Sequence, residues 1–217
     1  MSGAGRAQPA RPVGLVILAI VAASVAILAV AALGGGADAD SLRLFIRSGA
    51  RLSLCLFLIV FTASSLRALL PGPASEWLLL YRPYFGFGLA ISHFSVAAVL
   101  LRFATGYPTE FFTVTYGLQR WGGAAGYLAL AVLTVTSLAP VKRRIAPATW
   151  RSIHATGIWI LFLSFLVSYT RRVFVLHDGF FVPFLCALAL ALALRRLARR
   201  RSARPLDRAP TPTSPPL

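Results

Sequence analysis

The chain holds 217 residues, of which 58% are hydrophobic and 13% charged. A soluble domain of that length hides one core under a charged surface, and these charges are too few to make one. A soluble catalytic domain is therefore not expected, and the fold class read from composition is all-α, an integral membrane bundle of about six transmembrane helices. The net charge of +16 would suit a nucleic-acid binder, but seven of the 22 basic residues lie in the tail 195–208 and most others flank apolar runs. That arrangement orients a membrane protein and grips anionic lipid, so the lipid bilayer is the expected partner and nucleic acid is not.

Taken in order, the first apolar run, 13–33, carries no charge. It exceeds the 7–15 apolar residues of a cleaved signal peptide, so a retained helix is expected, ended by Gly34-Gly35-Gly36. A second span is predicted over 48–70, stopped by Pro71-Gly72-Pro73, with Arg51 and Arg67 snorkelling near its ends. Ser75-Glu76-Trp77 reads as a short interfacial turn before a third span, 83–103, with Pro83 at its first helical position. A polar, aromatic connection over 104–120 follows, its Phe111-Phe112 pair and the adjoining Trp121 suited to the membrane boundary. The fourth span, 122–138, ends at Pro140 and Lys142-Arg143-Arg144. The fifth begins after Pro147 with Thr149 as its cap, runs to 169, and is followed by Arg171 and Arg172. The sixth, 180–194, meets Arg195-Arg196.

These spans divide the chain into a cytoplasmic N-terminal tail, 1–12, a transmembrane domain, 13–195, and a basic, proline-rich cytoplasmic tail, 196–217, too polar to fold. With the N-terminus inside, fifteen of the 22 basic residues fall on the inner side, which favours both termini cytoplasmic. Near-exclusive use of arginine over lysine points to a GC-rich bacterial genome and thus to a bacterial cell (inner) membrane. Cys55 and Cys186 fall in apolar runs with no CxxC neighbour and read as small buried apolar residues, not as a disulfide or zinc site.

Chemistry rests on two histidines inside predicted spans, His93 and His154. An ionisable group in lipid is costly and is usually retained for a reason, and neutral imidazole is a common ligand of haem iron. Counted from Pro83 and Thr149, the two lie about 15 Å and 8 Å along their helices, close enough to flank one planar macrocycle. Arg82, Gly86 and His93 share one helical face, as do Arg151, His154 and Gly157. Glycine lets a flat ligand approach backbone, and arginine pairs with its carboxylates. Each part has an ordinary reading: a histidine bonding a neighbouring helix, arginines anchoring at the interface, glycines packing helices. His177, beside Asp178 in a short connection, reads as a solvated loop histidine.

The segments YRPYFGFGLAISHF, 81–94, and LTVTSLAPVKRRIAPATWRSIHATGIWILFLSFLVSY, 133–169, resemble the ferric reductase-like transmembrane domain family. In size the chain is similar to that family's haem-binding subunits serving periplasmic methionine sulfoxide reductases. The resemblance covers most of 48–194. It implies that His93 and His154 are the axial ligands of one bis-histidine haem b. It also implies a membrane electron-transfer protein that takes electrons from quinol, or from a flavin carried by a separate flavoprotein partner, and delivers them to an outer-side acceptor. Many members carry a second histidine about four turns further along each helix; here those places hold Gly106 or Tyr107, and Val167 or Ser168. No GxGxxG or other nucleotide motif is present, so no nucleotide domain is fused on. The alternatives are a transporter or channel subunit and a cofactor-free assembly partner.

Overall fold

The computed structural model describes residues 11–33, 38–114 and 117–203, and every regular element among them is helical. In chain order these are α1 (Arg11–Leu33), α2 (Ala39–Leu69), α3 (Pro73–Gly106), a short α4 (Pro108–Val114), α5 (Gly117–Ser137), a one-turn α6 (Ala139–Lys142), α7 (Pro147–Phe174) and α8 (Val182–Ala203). A 3₁₀ turn, Gly179–Phe181, leads into α8. Long apolar runs become helices because lipid offers no partner for backbone N–H and C=O groups. Five helices, α1, α2, α3, α7 and α8 with its leading turn, are long and apolar enough to cross a membrane; α5 falls short of that measure. The chain is an all-helical, multi-pass membrane protein.

Several boundaries differ from those read in the sequence, each for a local reason. α2 begins at Ala39, nine residues before the expected start, because Asp38 caps it by accepting from the Ser41 N–H at 2.7 Å. That bond, on an exposed carboxyl, holds Asp38 below the usual carboxylate range. α3 begins at Pro73 and carries Pro83 in its interior, so 75–77 is its first turn and no separate interfacial turn exists. Ser75 knits that turn, its Oγ accepting from the Gly72 N–H at 3.2 Å and donating to the Leu70 carbonyl at 2.8 Å. α7 starts with Pro147 in its first turn after Ala146, so Thr149 is not the cap. α8 continues through Ala203, eight residues into the stretch assigned to the tail; residues 204–217 and the Gly34–Gly36 stop lie outside the described residues. Cys55 and Cys186 are free and exposed, where buried positions were expected.

Small residues set the closest approaches. A Cβ on Gly49 of α2 would sit 2.5 Å from the Val96 Cγ2 of α3. Beside it Ser53 and Ser92, both fully buried, hydrogen-bond across the seam at 2.9 Å. The α5–α7 seam works alike: a Cβ on Gly126 would meet Ser164, and one on Gly157 would meet Leu133 at 2.9 Å. An aromatic block of Phe57, Phe61, Phe162 and Phe165 fills the centre. Arg43, near the start of α2, pairs with Glu110 of α4, whereas Arg201 near the end of α8 donates to the Leu69 carbonyl at the end of α2. The bundle therefore has an α4 end and an α6 end.

Candidate functional site: two histidine-lined cavities

Two cavities open within the bundle, and each has one histidine in its wall. The first, about 390 Å³, lies toward the α6 end and gathers His154, Arg82, Lys142, Arg151 and Arg195 from α3, α6, α7 and α8. No carboxylate lines it. His154 stacks on Trp150, one turn earlier, with ring centroids 4.0 Å apart, and Lys142 Nζ lies 4.7 Å from the same indole. The indole N–H of Trp150 in turn donates to the Thr136 carbonyl at 3.0 Å, tying the head of α7 to the foot of α5. Thr136 Oγ1 donates to the Val132 carbonyl at 2.7 Å and hydrogen-bonds His154 Nε2 at 3.2 Å, which orients the ring.

The second cavity, about 460 Å³, lies toward the α4 end and is lined by His93, Tyr127, Phe165 and three arginines, Arg47, Arg120 and Arg172. His93 stacks on Tyr127 of α5 at 4.5 Å and tilts against Phe165 of α7 at 5.5 Å. Its Nδ1 is buried without a hydrogen-bond partner among the described residues. A buried imidazole nitrogen left unmatched is rare unless a ligand completes it.

Between the cavities stands an aromatic partition: Phe57 borders the first, Phe165 the second, and their rings are 5.1 Å apart. The structure thus does not bring His93 and His154 to one site. His93 meets α7 at Phe165, eleven residues beyond His154, which is about 16 Å along the axis. Gripping one iron from opposite faces needs the two ring nitrogens within about 4 Å of each other. The single bis-histidine haem expected from the sequence does not fit this geometry. Each cavity holds one histidine instead, with apolar walls and several cations, and of the two rings His93 has a buried Nδ1 without a partner among the described residues.

The remaining expected residues regroup accordingly. Arg82 and Gly86, expected beside His93, line the His154 cavity. Arg82 Nε donates to the Val60 carbonyl at 2.9 Å, and a Cβ on Gly86 would meet nothing within 4 Å, so the cavity reaches backbone there. Arg151 lies in the same wall, exposed. Gly157 does not line either cavity; it is filled by Leu133 and serves helix packing. His177 is exposed, at φ 52°, in the connection after α7.

Sequence reasoning used Thr136 and Trp150 only as marks of the family resemblance, gave Tyr127 no role, though these three hold the two rings, and counted Arg195 with the tail arginines. A tryptophan four residues before a membrane histidine was the one available signal. Among the described residues no group of three or more His, Cys, Asp or Glu side chains forms a metal site. No family model matches the chain, nor does any curated protein or solved structure.

Proposed function

We propose that the protein is a membrane electron-transfer protein of the ferric reductase-like kind, with a b-type haem in each cavity, one on His93 and one on His154. The observation that carries this reading is the repeated constellation: a single histidine, cations without carboxylates and apolar walls, once toward each end of the bundle. Bound haem supplies a one-electron carrier; the protein supplies ligand, slot and charge. His93 and His154 would each hold an iron, and Thr136, hydrogen-bonded to His154 Nε2, would fix the plane of that ring as the outer partners of metal-bound histidines do. Arg82, Lys142 and Arg151 in one cavity, and Arg47, Arg120 and Arg172 in the other, would pair with the acidic groups of the cofactor.

Direction follows from charge. We take α5 as a sixth crossing, since its 21 residues span about 31 Å, near the thickness of the hydrocarbon core. Both termini and the α6 end then face the cytoplasm, where quinol or a flavoprotein partner would deliver electrons, and the α4 end of a bacterial inner membrane protein faces the outer acceptor.

Reduced-minus-oxidised spectra of protein expressed with ample haem test the reading. b-type bands are expected, with His93→Ala and His154→Ala each losing about half, and carbon monoxide is expected to perturb the reduced protein because each iron has a single histidine. Absence of the bands rejects the proposal. The arginine-rich, carboxylate-free linings favour a second reading, an anion transporter, which anion flux into proteoliposomes would reveal.

A further inference from the structure

Arg195 is the least expected member of the α6-end cavity. Its guanidinium is stacked over Phe61, 4.6 Å from the ring centroid, and over Trp159 at 5.2 Å, which holds it against the aromatic block. Its Nη1 is buried and has no hydrogen-bond partner among the described residues. A buried guanidinium N–H without an acceptor costs free energy that the aromatic faces only partly offset. The same wall adds Arg82, Lys142 and Arg151, and no carboxylate balances the four charges. Glu76, the acid nearest in sequence to Arg82, is engaged by Arg67 at 2.7 Å. The walls beyond the cations are apolar, built from Leu89, Leu133, Ile158 and Leu161.

We infer that the α6-end cavity binds the acidic group of an amphiphile, a carboxylate or phosphate, with the Arg195 guanidinium among its contacts. The charges and the unmatched nitrogen select the anion, and the apolar walls select the body attached to it. This shares its cavity with the haem reading but rests on neither iron nor histidine. Two sources supply such chemistry, a dicarboxylate macrocycle and an acidic phospholipid, and the test separates them.

Purified full-length protein in neutral detergent is titrated with metal-free protoporphyrin, against its dimethyl ester, by fluorescence. In parallel it is mixed with phosphatidylglycerol, against phosphatidylcholine, and bound lipid is counted by native mass spectrometry. The expected result is that at least one anionic probe binds about ten-fold or more tighter than its uncharged counterpart. Arg195→Gln should abolish that preference, Arg195→Lys should keep part of it, and Arg200→Gln, an exposed arginine of the same helix, should leave it intact. Equal binding of both anionic probes and their uncharged counterparts, or an Arg195→Gln preference equal to wild type, overturns the inference; the wild-type comparison stands even if the variants misfold. Wild type that shows no haem bands yet keeps the Arg195-dependent preference refutes the redox reading alone.

Discussion

An imidazole among lipid-embedded helices is expensive to retain, and His93 and His154 meet that expense differently. His154 is satisfied by Thr136 and braced by Trp150. His93 has aromatic neighbours on both sides and a ring nitrogen with no acceptor or donor. Replacing an unmatched polar group by an apolar one of like shape is close to neutral. In ligand-free protein, His93→Phe should therefore leave thermal unfolding unchanged or raise it. Thr136→Val, which removes the hydrogen-bond partner of His154, should cost about 0.6–2 kcal/mol. A His93→Phe variant that unfolds much more readily would mean that His93 serves packing rather than a ligand.

At the scale of elements, the α2–α3 seam is the most extensive contact in the bundle. Gly49→Ala places a methyl against Val96 and should cost about 1–3 kcal/mol, with Val96→Ala restoring most of the loss in a double-mutant cycle. The Arg43–Glu110 pair that tethers α4 is half exposed, so Glu110→Gln should cost under about 1 kcal/mol, an effect that fades as salt is added. Helices also show where sequence reasoning held and where it failed. Uninterrupted apolar runs made α1 and α7 legible to within a turn or so at their N-terminal ends. Pro83 misled, because proline favours the first turn of soluble helices but is tolerated inside membrane helices, where neighbours satisfy the freed carbonyl. That one shift moved His93 from ten residues along its helix to twenty, about 30 Å, against seven residues, about 10 Å, for His154. The presumed meeting of the two rings rested on that depth. Arg195 was illegible for another reason: composition alone cannot tell an arginine that anchors in headgroups from one folded back onto Phe61 and Trp159.

For the whole molecule, the charge pattern and the apolar runs sufficed to announce a multi-pass helical membrane protein, since lipid permits few alternatives. The division of its interior into two chambers depended on side-chain packing that no periodicity records. Phe165 sits where the chambers approach each other, 5% exposed and in contact with both Phe57 and His93. Phe165→Ala should join the two volumes and lower stability by about 3–5 kcal/mol, measurable by thermal unfolding in detergent.

That pair of rings is also the insulation between the two chambers. Were both cation-rich chambers filled with water from their own side, the electrical potential of an energised bilayer would fall largely across a gap the width of two benzene rings. A charge passing between the chambers then moves through most of the field, with about 2.3 kcal/mol at stake per elementary charge for each 100 mV. Turnover in intact vesicles would accordingly respond to membrane voltage, and collapsing that voltage with an ionophore would change its rate.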